Sequence, residues 1–179
     1  INGLGRYTYE DDTFYNGTWK NGEKFGLGKE TYANGNVYEG HFAFGKREGE
    51  GLMIYNHKGN GALEYNGEWK EGRKHGHGVE KYMNTAKNLG STYTGEFFQG
   101  NKEGYGVLEC SDGYCYQGNW KNGMMHGQGE EKMPNDKIPD IIGLNEAHLV
   151  LVKEEKQTIA FVGYFQNSRK HGPGVLIYQ

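Results

Sequence analysis

The sequence predicts an all-β fold of tandem β-hairpins, on three observations: one motif recurs along the chain, polarity alternates within it at a period of two, and turn residues punctuate it at fixed places. The motif is an aromatic, any residue, Gly, any residue and a second aromatic, followed three residues on by Gly, then by Gly-x-Gly and a closing aromatic or apolar residue. Copies lie near 15–32, 38–55, 65–82, 93–110, 116–133 and 161–178, with aromatic pairs Tyr15 and Trp19, Tyr38 and Phe42, Tyr65 and Trp69, Tyr93 and Phe97, Tyr116 and Trp120, and Phe161 and Phe165. Cys110 and Met133 close the fourth and fifth copies, and Ser168 replaces the mid-repeat glycine of the sixth. Gly3, Gly5 and Tyr9 precede Gly26, Gly28 and Tyr32 by 23 residues each, so residues 1–9 read as a partial copy. Residues 1–179 are expected to form a single array, a piece of a longer one, with an insertion at 134–160.

Each element follows from local chemistry. Residues two apart on a strand share a face, so Tyr65, Gly67 and Trp69 face one side and Asn66 and Glu68 the other. Glycine weakens a strand unless another group approaches closely. The aromatics of one hairpin are therefore expected to lie over the glycines of the next. Lys20, Asn21, Gly22 and the equivalent Lys121, Asn122, Gly123 are tight-reversal sequences, and the runs 33–36 and 111–114 are short links between copies. The links at 56–64 and 83–92 are longer, polar loops, where insertion costs little closure entropy. Within the insertion, the compact run Leu149, Val150, Leu151, Val152 favours a strand over 147–153 paired with 157–164 across a turn at 154–157. The alternative is a short helix over 145–156 capped by Asn145.

Composition narrows the function. Glycine is 31 of 179 residues without a triplet rule and proline only 3, which excludes collagen and a Pro-rich linker. Aromatics, 14% of residues, carry much of the burial. A net charge of -3 gives no overall attraction to nucleic acid or anionic lipid. No stretch approaches the roughly 20 apolar residues of a membrane span, and the start lacks a secretory pattern. Cys110 and Cys115 read as a reduced, cytosolic pair.

Stretches such as 65–78 and 116–129, with Tyr65, Gly67, Trp69, Gly72, Gly76 and Gly78 in register with Tyr116, Gly118, Trp120, Gly123, Gly127 and Gly129, resemble MORN repeats, the membrane occupation and recognition nexus motif. The resemblance covers nearly the whole chain. It implies one hairpin per repeat, stacked into an elongated, twisted antiparallel sheet, and a scaffold or binding role in place of catalysis. Such arrays occur in cytoskeletal, ciliary and membrane-junction proteins, and as modules attached to lipid kinases or methyltransferases.

The residues point the same way. His75 and His77 lack further ligands at zinc spacing, and His75, His126 and His171 share one repeat slot, which makes them structural. No spacing ties a nucleophile to a base, and the Gly-x-Gly pairs precede no helix that would cradle phosphate, so neither an enzyme nor a cofactor is expected. Lys46 and Arg47, Arg73 and Lys74, and Arg169 and Lys170 recur in equivalent turns. A ladder of cations there would meet lipid headgroups, yet interleaved Glu23, Glu48, Glu71 and Glu103 favour a solvated edge. The expected function is a cytoplasmic scaffold, associated with a cytoskeleton, cilium or membrane periphery, whose groove or edge holds a protein segment. An amphipathic helix or a second copy of the chain would be that partner, with Leu149 and Leu151 of the insertion as further contacts. A phosphoinositide-binding or accessory module is the alternative.

Overall fold

The computed structural model describes residues 1–56, 61–84, 89–134 and 159–178, in two compact units, Ile1–Asn101 and Lys102–Gln179. In the first, β1 (Gly3–Thr8), β2 (Phe14–Lys20), β3 (Glu23–Thr31), β4 (Val37–Ala43), β5 (Lys46–Ile54), β6 (Gly61–Lys70), β7 (Arg73–Asn84) and β8 (Leu89–Phe98) lie side by side in chain order, each antiparallel to the last. In the second, β9 (Asn101–Cys110), β10 (Cys115–Lys121), β11 (Met124–Met133), β12 (Ile159–Gln166) and β13 (Arg169–Tyr178) do the same. The described residues contain no helix, so the all-β class and the tandem hairpins are as the sequence predicts.

The insertion requires a correction. β12 pairs with β11 along one edge and β13 along the other, so 159–164 has no edge left for a strand at 147–153. The repeat register claims β12 first. Residues 135–158, which hold 147–153, the alternative helix 145–156, Leu149 and Leu151, lie outside the described residues.

Every hairpin reverses through two residues with positive φ: Asn21 and Gly22 at 53° and 82°, Phe44 and Gly45 at 49° and 74°, Glu71 and Gly72 at 49° and 79°, with the same pattern at 99–100, 122–123 and 167–168. These are type I′ turns, whose twist matches that of the strands they join. The second turn residue also ties its hairpin to the one before, for Gly45 N donates to Lys24 O at 3.1 Å and Gly72 N to Arg47 O at 2.9 Å. Ser168 N makes the equivalent bond to Met125 O at 2.9 Å. That slot needs a backbone N–H and a left-handed φ, and serine supplies both at some conformational cost.

The two glycines of Gly-x-Gly do different work. The first, such as Gly26 at φ 63°, sits in a β-bulge: Gly17 pairs with Gly28 and Trp19 with Lys24, leaving Thr18 alone opposite three residues. The second glycine is a floor. Gly5, Gly17, Gly28, Gly40, Gly51, Gly67, Gly78 and Gly95 are register partners in unbroken succession across the first unit, as are Gly106, Gly118, Gly129, Gly163 and Gly174 across the second. A Cβ on Gly17 or Gly28 would overlap the Tyr15 ring, and Tyr38, Tyr65, Tyr116 and Phe161 cover their own pairs in the same way. The expectation that rings cover the next hairpin is therefore corrected: each first aromatic covers the glycines of its own hairpin. The tryptophans reach the preceding copy, with Trp69 Nε1 donating to Gly51 O at 3.0 Å and Trp120 Nε1 to Gly106 O at 3.2 Å.

Folded back over its glycines, Tyr15 donates its hydroxyl to Thr18 O at 3.0 Å, the residue stranded by the bulge, and Tyr38, Tyr65, Tyr93 and Tyr116 repeat the bond three residues on. Within each unit these rings meet the second aromatic of their own copy edge-to-face, then that of the following copy: Tyr15 to Trp19 at 5.1 Å and Phe42 at 5.0 Å, Tyr38 to Phe42 at 5.1 Å and Trp69 at 5.3 Å, Tyr116 to Trp120 at 5.3 Å and Phe165 at 5.0 Å. Such pairs add about 0.5–1.5 kcal/mol beyond area burial.

Three outcomes test this packing. Gly28→Ala is expected to destabilise by about 1–3 kcal/mol or more through overpacking against Tyr15, whereas Gly22→Ala, with open space around it, costs about 1–2 kcal/mol of backbone strain alone. Phe161 lacks the hydroxyl of its five counterparts, so Phe161→Tyr is expected to stabilise by about 0.5–1.5 kcal/mol through a new bond to Tyr164 O. Denaturant unfolding measures all three. Burial, then the charges of Glu30 and Glu131 respectively, pushes the Tyr15 and Tyr116 hydroxyls up to about 12. Above about pH 10 the unfolded chain releases protons that the folded chain retains, so stability is full below that pH and falls towards pH 12. Unfolding free energies measured across that window are expected to decline, with tyrosinate absorbance rising as the β-sheet circular dichroism is lost.

Candidate functional site

The aromatic face carries a period of two copies. Copies one, three and five hold Trp19, Trp69 and Trp120 as second aromatic and Glu30, Glu80 and Glu131 two residues past the floor glycine. Copies two, four and six hold Phe42, Phe97 and Phe165, with Met53, Leu108 and Leu176 in the glutamate slot. Among the described residues these three glutamates are the buried acids, at 5–6% exposure, and each is compensated. Glu30 pairs with Lys24 and accepts from Tyr32 Oη at 2.8 Å. Glu80 pairs with Lys74 and accepts from Tyr82. In the fifth copy Met125 occupies the lysine slot, and Lys170 of the next copy supplies the cation to Glu131 at 2.5 Å, with Tyr114 Oη donating at 2.8 Å. Burial first, with the adjacent carboxylate adding to it, drives the hydroxyls of Tyr82 and Tyr114 far above the ordinary tyrosine range; that of Tyr32 is also driven far up, by burial and Glu30 against the opposing charge of Arg47.

Copy two breaks this compensation. Where Lys24 and Lys74 face a glutamate of their own copy, Arg47 has Met53, and its guanidinium instead lies 4.3 Å from the Trp69 ring centroid and donates from Nη2 to Gly72 O at 2.6 Å. A cleft opens beside it on the first unit, lined by Tyr32, Tyr55 and Trp69 with Arg47, Arg73 and Lys74, and no carboxylate is among its lining residues. A second cleft, one copy earlier, shares Tyr32 and is lined by Tyr7, Tyr9, Glu10, Asp11 and the Lys24–Glu30 pair. Its rings are an edge-to-face pair at 4.8 Å, and Tyr7 is 48% exposed.

The links between copies hold both clefts in place. Residues 9–13 and 32–36 close in the same way: Tyr9 N donates to Thr13 O at 2.8 Å and Tyr32 N to Asn36 O at 2.9 Å, with Asp11 Oδ1 and Asn34 Oδ1 accepting inside the turns at 3.0 Å. Neighbouring links are laced together by Ala33 N to Thr13 Oγ1 at 3.3 Å and Asn56 N to Asn36 Oδ1 at 2.9 Å.

The structure sorts the sequence-predicted residues plainly. The twelve repeat aromatics are core, none more than 9% exposed. Among the turn cations, Lys46, Arg73 and Arg169 are exposed, whereas Arg47, Lys74 and Lys170 turn onto the aromatic face and are engaged there. His75 lies tilted against Phe98 at 5.4 Å, and His77 is exposed beside Glu68, its Nδ1 3.9 Å from Oε1. Among the described residues no three His, Cys, Asp or Glu side chains are grouped as metal ligands. Cys110 and Cys115 form no disulfide and flank the link at 111–114. On the opposite face of the second unit, exposed Tyr105 and Tyr164 border a shallow groove in which Gln128 Nε2 donates to Tyr164 Oη at 2.9 Å.

Sequence reasoning missed Tyr7, Tyr32, Tyr55, Glu10 and Asp11 as surface, and the three glutamates as buried anchors. The signal was present in the alternation of Trp with Phe and of Glu with Met or Leu at fixed slots. Compared with known families, the chain matches the MORN repeat over residues 1–14, 15–37, 38–56, 65–85, 93–113, 116–137 and 161–179. No curated protein matches the sequence. MORN repeats are non-catalytic modules for protein and membrane interaction, and with seven of them accounting for most of its length, this chain belongs to the MORN-repeat family.

Proposed function

We propose that the chain is a non-catalytic scaffold that holds a segment of a protein partner against the aromatic face along the link edge. The observation that carries this reading is the row of half-buried and exposed tyrosines, Tyr7, Tyr9, Tyr32 and Tyr55, standing beside fixed charges over a core already filled by other rings. Aromatics with one face packed and one open give large contact area at low entropic cost. Hydrogen-bonded links beneath them reduce the ordering that binding requires. An amphipathic helix, or a second copy of this chain, suits such a row, with Leu149 and Leu151 of the insertion as additional contacts. A cytoplasmic cytoskeletal, ciliary or membrane-junction assembly is the setting in which the scaffold acts.

The second reading, a module that binds phosphoinositides or serves a lipid kinase or methyltransferase, is favoured by exposed Lys46 and Arg73 in successive turns of the first unit. Exposed Glu23 and Glu71 in neighbouring turns weaken it, because an anionic surface repels them at the same range.

A photoreactive benzoylphenylalanine placed at Tyr55, and separately at Leu27 on the opposite face, separates these readings in cells. The scaffold reading expects one discrete protein adduct from position 55 and none from position 27. Adducts to lipid alone, or none from position 55, contradict it. Flotation with phosphoinositide vesicles is expected to show no salt-sensitive binding.

A further inference from the structure

The two clefts of the first unit share one wall, Tyr32, and carry opposite charge. In the cleft toward copy two, three cations stand with no carboxylate among the lining residues. Lys74 there is neutralised by Glu80, which leaves Arg47 and Arg73. In the cleft toward the partial copy, Lys24 and Glu30 neutralise one another, which leaves the exposed carboxylates of Glu10 and Asp11. The difference originates in the period of two. A glutamate in the slot of Met53 would cancel Arg47 just as Glu30 cancels Lys24. The methionine keeps that charge, and the stacking on Trp69 fixes its position.

We infer, resting on the scaffold reading above, that the occupant of this face is a dipolar protein segment: acidic side chains at the Arg47 and Arg73 cleft, basic side chains at the Glu10 and Asp11 cleft, and an apolar residue against Tyr32 between them. The guanidinium of Arg47 uses one donor on Gly72 and has others for a carboxylate. The exposed Tyr7 ring, with Glu10 and Asp11 in the same cleft, receives a lysine or arginine by cation–π contact as well as by charge. A uniformly anionic surface satisfies one cleft and is repelled by the other, and a uniformly basic segment meets the converse. The lacing of Ala33 to Thr13 and of Asn56 to Asn36 holds the two clefts at a constant separation, so the spacing of the partner's charged blocks is a specificity element.

Four labelled peptides of about 20 residues, roughly 30 Å as helices, test this by fluorescence anisotropy with the whole chain. All share one leucine-spaced face; one carries a lysine block and a glutamate block at opposite ends, one only the lysines, one only the glutamates, and one glutamine throughout. The two-block peptide is expected to bind about tenfold more tightly than either single-block peptide, and more weakly as salt rises. Arg47→Glu, with Arg73→Glu at an exposed site in case the first variant unfolds, is expected to abolish the advantage of the glutamate block. Glu10→Lys combined with Asp11→Lys is expected to abolish that of the lysine block. Equal binding of all four peptides overturns the charge inference and leaves the scaffold reading standing. Tightest binding by the glutamate-only peptide or by anionic vesicles overturns it in favour of a simple anion site. Binding by none of the four overturns it, and if position 55 also captures no protein, the scaffold reading fails with it.

Discussion

The structure depends on a ring laid flat over a pair of glycines. Tyr15 over Gly17 and Gly28, and its counterparts over Gly40 and Gly51, Gly67 and Gly78, and Gly118 and Gly129, bring an aromatic into contact with bare backbone at a distance no Cβ would permit. Glycine costs strand stability, and the ring returns it in buried area and close contact. Other features follow from that arrangement. The bulge at the first glycine of Gly-x-Gly strands a backbone carbonyl, which the tyrosine hydroxyl then satisfies. The second aromatic wedges between successive rings, so a copy is packed only when its neighbours are present. Stability in such an array comes chiefly from interfaces between copies, as in other repeat proteins.

With the repeat aromatics consumed by the core, function passes to the slots beside them. The alternation of Glu30, Met53 and Glu80 decides where charge is cancelled inside the fold and where it is presented. The residues that make a MORN copy fold are thereby separated from those that distinguish one array from another. Tyr7, Asp11, Arg47 and Tyr55 are not among the residues that cover a glycine pair.

Much of this fold was legible. The six spaced motifs placed the hairpins, because a recurring motif with strand alternation and Asn-Gly reversals has one economical structure. The same turn at Phe44 and Gln99 was not legible by composition, since those residues adopt positive φ only because the repeat register imposes it. Which ring covers which glycine was misjudged, because strand alternation tells the face and not the lean of a side chain along the strand. A strand at 147–153 looked able to pair with 157–164 because propensity says nothing about an edge already taken by β11 and β13. The turn cations looked equivalent in sequence, yet adjacent strand residues face opposite sides, which exposes Lys46 and sends Arg47 to Trp69.

Proton chemical shifts give the most direct reading of the central contact, because a ring lying over a glycine shields the α-protons beneath it. Strongly upfield α-proton resonances are expected for Gly28, Gly51, Gly78 and Gly129, relative to the open turn glycines Gly22, Gly45 and Gly123. The shielding at Gly51 should vanish in Tyr38→Leu and persist in Trp69→Leu. Ordinary shifts at the floor glycines, or shielding at Gly51 that follows Trp69 and not Tyr38, would contradict it.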